Sequence, residues 1–198
     1  MARSRPARAA AVAALAAAVA LSPSAAANPR PRAHLTTTCP DAGTPAESAS
    51  TPALRRAVVC LVNEERAAHQ LPPLHPSSEL NRSAQGWSDQ MVAAGSFTHG
   101  ADFAARISHA GYRWGAAGEN IATGVATARQ LVSLWMADVG HCRNILTPLF
   151  RDIGVGVNPH PVPGVASTPA TWTQDFGLPI DEPPPASNWG PADGCPYR

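Results

Sequence analysis

The feature that most limits the fold of this chain is a change of hydrophobic period near Asp152. Before it, apolar residues recur at helical spacing; after it, they alternate. In "TPALRRAVVCLVNEERAAHQLPPL", Leu54, Val58, Leu61, Val62 and Glu65 form one face, with Arg55, Arg56, Glu64 and Arg66 off it. Thr51 as N-cap and Pro52 at the first helical position start this helix, and Leu71-Pro72-Pro73 stops it. "SSELNRSAQGWSDQMVAAGS" gives a second stripe of Leu80, Ala84, Trp87, Met91 and Ala94, opened by Ser77 or Ser78 and closed by Gly95. A short third helix is expected from Asp102 to Ala110. A fourth follows Thr127, with Leu131, Val132, Leu134 and Trp135 on its apolar face, and another turn covers Arg143 to Leu146. Then "DIGVGVNP" alternates Ile153, Val155 and Val157 with glycine, and "ATWTQDFG" sets Trp172, Gln174 and Phe176 opposite Thr171, Thr173 and Asp175. "ENIATG" is a further candidate strand. Helices first and antiparallel strands last define an α+β domain, with helices packed on a small antiparallel sheet.

The first thirty residues follow different rules. Arg3, Arg5 and Arg8 precede an apolar run from Ala9 to Leu21, followed by Pro23 and Ala25-Ala26-Ala27. A charged start, a short apolar run and a small-residue end describe a secretory signal peptide cleaved after Ala27. The run is shorter than the roughly 20 residues a membrane span requires. An exported mature chain of about 170 residues fits one domain. Four cysteines in an exported chain suit two disulfides, for which three connectivities exist. Cys39 and Cys60 flank the segment leading into the first helix, and Cys195 lies in a Pro-rich tail that needs tethering. Cys39–Cys60 and Cys142–Cys195 is therefore the favoured arrangement. A formal net charge of +1 without a basic cluster argues against nucleic acid as a partner.

The usual catalytic signatures are absent: no G-x-S-x-G, no H-E-x-x-H and no P-loop. What remains is a set of polar residues just beyond helix ends. His99 follows the second helix, Glu119 the third and His141 the fourth. Ends of packed elements commonly gather at one edge of a domain. Two imidazoles and a carboxylate converging there would suit a divalent metal with one position open to water.

"FTHG", "GEN" followed by Ile121-Ala122, Trp135 with "GHCRNIL" after it, "IGVGV" and "TWTQDFG" stand in a characteristic order. From about Leu54 to Gly177 the chain resembles the CAP superfamily of cysteine-rich secretory, antigen 5 and pathogenesis-related 1 proteins, and within it the bacterial extracellular branch. The resemblance implies an α-β-α sandwich with a large open cleft. With the segments read above, the chain is expected to divide into a signal peptide (1–27), a flexible lead-in (28–50), the CAP domain (51–178) and a disulfide-tethered tail (179–198). The resemblance also implies a cleft cluster of histidines and acids able to take a divalent metal, often zinc. His99 matches the histidine of the first motif, Glu119 the glutamate of "GEN" and His141 the histidine of the bacterial "GHR" element. Asp138 stands three residues after Trp135, where the eukaryotic branch has a second glutamate. Thr171 stands where that branch has a second histidine, so the full eukaryotic tetrad is not present.

Each residue also has a plainer use. His99 could be a surface loop residue, Glu119 a turn cap, His141 a dipole-favoured residue at a helix C-terminus and Asp138 an ordinary last-turn acid. His109 is expected on a solvated face, and His69, His75 and His160 in loops. Asn81-Arg82-Ser83 is a glycosylation sequon by pattern only. His141 beside Cys142 is not a thiol dyad, because a disulfide consumes the thiol. Three functions compete. One is a secreted, monomeric binding module for a lipid-like or peptide ligand, with metal as an optional partner. The second is a metal-assisted hydrolase, with Glu119 as ligand or base. The third is a disulfide-stapled structural domain.

Overall fold

The computed structural model describes residues 39–186 and Cys195. The signal peptide, residues 28–38 of the expected lead-in and most of the expected tail lie outside these residues. In chain order the elements are α1 (Thr51–Ala68), β1 (His75–Pro76), α2 (Ser78–Ala94), α3 (Phe103–His109) and β2 (Trp114–Thr123). They are followed by α4 (Ala128–Ala137), α5 (Val139–Leu146), β3 (Asp152–Asn158) and β4 (Thr171–Pro179). The sheet order is β1-β3-β4-β2. β4 is antiparallel to both neighbours, and the two-residue β1 adds one parallel edge to the otherwise antiparallel sheet.

The alternation read in β3 explains the layering. Ile153, Val155 and Val157 face α1, α4 and α5 in the main core, with Trp172 and Phe176 of β4. The intervening glycines face α2. A Cβ on Gly154 would lie 2.2 Å from the Leu80 carbonyl carbon, and one on Gly156 would lie 2.2 Å from that of Ala84. Glycine on this face is what lets a helix backbone sit directly on a strand. Because β4 has helices on both sides, Thr171 through Leu178 are all buried, although their sequence reads as a half-polar strand. The result is an α-β-α sandwich.

Capping follows the expected chemistry with small shifts. Ser77 accepts from the Leu80 N–H, Asp102 from Ala105, Thr127 from Gln130, and Gly95 closes α2 at φ 61°. The N-cap of α1 is Ser50, one residue before the expected Thr51. In α1 and α2, two side chains depart from their expected faces. Arg66, read as solvent-facing, is fully buried, and its guanidinium donates to the carbonyls of Pro72, Ile145 and Thr147. Ala94, read as buried, is exposed.

Part of the expected flexible lead-in is packed. Cys39, Ala42 and Ala46 belong to the main core, and the Ala46 N–H donates to the Ala126 carbonyl. Cys39 is joined to Cys60 and Cys142 to Cys195, across separations of 21 and 53 residues. By loop entropy these bonds contribute about 3 and about 4 kcal/mol. No helix among the described residues is long and apolar enough to cross a membrane.

Candidate functional site

The outer edge of β2 is where the two helix layers meet solvent. A hollow of about 460 Å³ runs along it. Its walls come from the α2–α3 loop (Phe97, Thr98, His99), from β2 (Ile121, Ala122, Thr123), from α4 (Leu134) and from α5 (His141). The two histidines approach the edge strand from opposite faces of the sheet. The α2–α3 loop carries His99 on one side, and the first turn of α5 carries His141 on the other.

His99 is held by a buried carboxylate. Its Nδ1 lies 2.8 Å from Glu119 Oε1, and the other oxygen, Oε2, accepts from Arg106 Nη2 at 2.5 Å. Arg106 also donates to the His99 carbonyl at 2.9 Å, and its guanidinium lies 3.7 Å from the centre of a Trp87 ring. The Glu119 side chain is 1% exposed, against 49% for His99. A buried carboxylate needs such partners to offset its lost hydration. Glu119 therefore lies behind His99 as its anchor rather than in the wall of the hollow. With Nδ1 so engaged, Nε2 of His99 is the ring nitrogen left for a ligand.

His141 is organised differently. Asp138 is the N-cap of α5, its carboxylate accepting the His141 backbone N–H at 3.0 Å. That bond is the largest cause holding the Asp138 carboxyl below its ordinary range. The His141 Nδ1 lies 3.2 Å from the same oxygen but off the line of a hydrogen bond, and it is buried without an aligned partner. Burial pushes the imidazole pKa down; Asp138 opposes this and His99 adds to it. His141 is thus biased toward the neutral ring.

A second carboxyl stands behind the first. Asp175 is the direct cross-strand neighbour of Glu119, and it is fully buried. Neither of its oxygens makes an aligned hydrogen bond. Burial first, and the neighbouring Glu119 second, raise its pKa well above the ordinary range. On the opposite face, buried amides tie β2 to α5. Asn120 donates to Gln174 Oε1 and to the His141 carbonyl, and Asn144 donates to Asn120 Oδ1 and to the Glu119 carbonyl.

The sequence candidates are therefore distributed as follows. His99 and His141 share the hollow, and Glu119 supports His99 from beneath. His141 lies in the first turn of α5, which is longer than the turn expected there, and not at a helix C-terminus. Asp138 is a cap rather than a last-turn acid. Thr171 is buried, its hydroxyl donating to the His160 carbonyl. His75, His109 and His160 are exposed, and His69 closes α1. Among the described residues, the three-residue group with metal-ligand atoms within 4.8 Å of one another is Cys39, Cys60 and Glu64. Its thiols are spent in a disulfide. His99, Glu119 and His141 do not present such a group, and both Glu119 oxygens are already engaged. Glu119 is therefore not open as a direct third ligand beside His99 and His141.

Sequence reasoning missed Arg106, Asp175 and the apolar wall of Phe97 and Leu134. Asp175 was legible only given the β2–β4 register. Leu134 was assigned to the buried stripe of α4, yet it is 46% exposed.

Known proteins place this arrangement. Residues 59–176 match the model of the CAP, cysteine-rich secretory protein, family. The uncharacterized protein YkwD of Bacillus subtilis is 36% identical over 138 residues, covering 67% of this chain and 50% of that protein. An extracellular SCP-domain protein of Bacillus anthracis shares the fold at a TM-score of 0.55 and 23% identity, over 65% of this chain and 44% of that one. An outer surface protein of Borrelia burgdorferi does so at 0.55 and 17%, over 62% and 90%. This chain thus spans about half the length of YkwD, and it belongs to the cysteine-rich secretory protein (CAP) family.

Proposed function

We propose that this is an exported binding domain whose cleft takes a lipid-like amphiphile, an apolar chain ending in a hydrogen-bonding head. The observation that carries the reading is the two-sided lining of the hollow. Phe97 and Leu134, 38% and 46% exposed, stand with Ile121 and Ala122 on the apolar side, and His99, His141, Thr98 and Thr123 supply the polar side. Large apolar side chains left open beside convergent polar groups characterise ligand sites. An extended peptide is the poorer fit. It would add to the β2 edge through backbone hydrogen bonds, but the Glu119 and Ile121 carbonyls already accept from Asn144 and Trp135. That the structural neighbours include an extracellular and an outer-surface protein supports export, as does the Arg-led apolar start of the chain.

The test is titration with a dodecyl-chain amphiphile below its micelle concentration, followed by tryptophan fluorescence, since Trp135 lies 6.4 Å from the His141 ring. Saturable binding should weaken by at least about tenfold in Phe97→Ser/Leu134→Ser, because each buried side chain contributes about 1.5–3 kcal/mol. Equal binding by wild type and variant would refute the reading.

A further inference from the structure

We infer that Arg106 is the resident cation of this cleft, occupying the position beside Glu119 that a divalent metal ligated by Glu119 would take. The guanidinium is built in rather than draped across the surface. One Nη donates to the Glu119 carboxylate and the other to the His99 carbonyl, while the plane stacks on Trp87. The side chain is 19% exposed. Gly100, at φ 71°, completes the fit: a Cβ there would lie 2.9 Å from the Trp87 ring and 3.2 Å from Arg106 Nη1. The turn after His99 thus needs glycine both for its backbone and for the space the Arg106–Trp87 stack fills.

A metal ligated by Glu119 must approach an oxygen to about 2.0–2.2 Å. One oxygen already accepts from Arg106 and the other lies against His99. A dication entering there would displace one of these partners and face a fixed positive charge at short range. The guanidinium is fixed by both Nη donors and by Trp87, so displacing it would break three contacts at once. The cost of the buried carboxylate is met by an internal cation, and neither Glu119 oxygen is left for a metal. This inference is independent of the amphiphile reading, since it concerns only which cation neutralises Glu119.

The experiment is equilibrium dialysis of the folded, disulfide-bonded chain against zinc chloride alone, with metal counted by mass spectrometry and folding followed by circular dichroism. Wild type and His99→Ala/His141→Ala should bind equal zinc, since any ions they take sit on exposed histidines outside the cleft, such as His75, His109 and His160. Arg106→Met keeps the stem over Trp87 but removes the charge, and should gain one zinc held at least about tenfold more tightly. That ion should be lost in Arg106→Met/His99→Ala/His141→Ala. Arg106→Lys, which restores a charge, should behave as wild type. A wild-type zinc that disappears in His99→Ala/His141→Ala overturns the inference, as does a folded Arg106→Met that gains none. Should Arg106→Met fail to fold, the comparison of wild type with the double histidine variant still decides it.

Discussion

The two outer edges of the sheet meet the same physical problem and solve it with different consequences. Among the described residues, the β3 edge has no strand neighbour beyond Ile153, and side chains close it. Asn81 accepts the Val155 N–H, Arg55 donates to the Val155 carbonyl, and Gln85 serves both backbone groups of Val157. At the β2 edge, Asn144 and Trp135 donate to the Glu119 and Ile121 carbonyls. A hollow of similar size lies along each, about 490 Å³ at β3 and about 460 Å³ at β2. The polar groups of the β3 hollow are committed: Arg55 and Gln85 to the strand and to each other, Arg82 to the Ala110 carbonyl, Asp89 to Gln85 and Asn158. At β2 the imidazoles keep ring nitrogens free, and two apolar side chains stand uncovered. Volume does not distinguish a site from a seam; uncommitted chemistry does.

The sharpest way to break this symmetry is through one glycine at each edge. Gly156→Ala would drive a methyl group into the α2 backbone at 2.2 Å. Backbone cannot step aside as a side chain can, so we predict a loss of more than about 3 kcal/mol, beyond the usual range for overpacking. In Gly118→Ala on β2 the new methyl meets the Phe150 ring at 2.8 Å, and a ring can swing. Its cost should be about 1–3 kcal/mol. Urea denaturation of both variants checks the order, and equal losses would contradict it.

The edge-closing amides come next. Asn144→Ala strands the Glu119 carbonyl and the Asn120 side chain, and should cost about 1–3 kcal/mol. Gln85→Ala at the half-buried β3 edge lets water in, and should cost about 1 kcal/mol. Only the first should weaken amphiphile binding, because Asn144 holds the strand that carries Glu119 and, through Asn120, the first turn of α5. If both variants weaken it alike, the two edges are not functionally distinct.

How far the sequence carried this contrast depends on which interactions are local. Period, caps and glycine alternation are written within a few residues, so four of the helices and the β3–β4 pair were legible. His99 and His141 were named from the family motifs, and both line the β2 hollow. What joins them is not local. Arg106 reaches Glu119 across 13 residues, Asp175 faces it only through the strand register, and Arg66 is buried because carbonyls 79 and 81 residues away accept from it. Leu134 failed for a related reason. Helical spacing says which residues share a face, but not where the neighbouring element stops covering it.

Asp175 gives the contrast a pH axis. Unfolded, its carboxyl ionises near pH 3.9; folded, burial and Glu119 hold the proton to higher pH. Above about pH 4 the native state therefore binds more protons than the unfolded one, and stability falls as pH rises toward the folded pKa. Each unit of displacement is worth about 1.4 kcal/mol. Asp175→Asn carries no ionisable proton, so its stability relative to wild type should climb between pH 4 and 7. Denaturation curves that keep a constant offset across that range would mean the carboxyl ionises normally.

The smallest effect on stability is expected at Leu134, and it bears most directly on function. A leucine nearly half exposed on α4 contributes little to the fold, and Leu134→Ala, which keeps high helix propensity, should change stability by no more than about 0.5 kcal/mol. If the side chain covers part of an apolar ligand tail, the same change should cost roughly 1–2 kcal/mol of binding, a five- to thirtyfold weaker affinity for the dodecyl probe. Neutral stability with weakened binding separates a ligand wall from a packing residue, because packing residues lose both together. Unchanged affinity would leave Leu134 as an ordinary exposed apolar residue and remove the apolar side of the site.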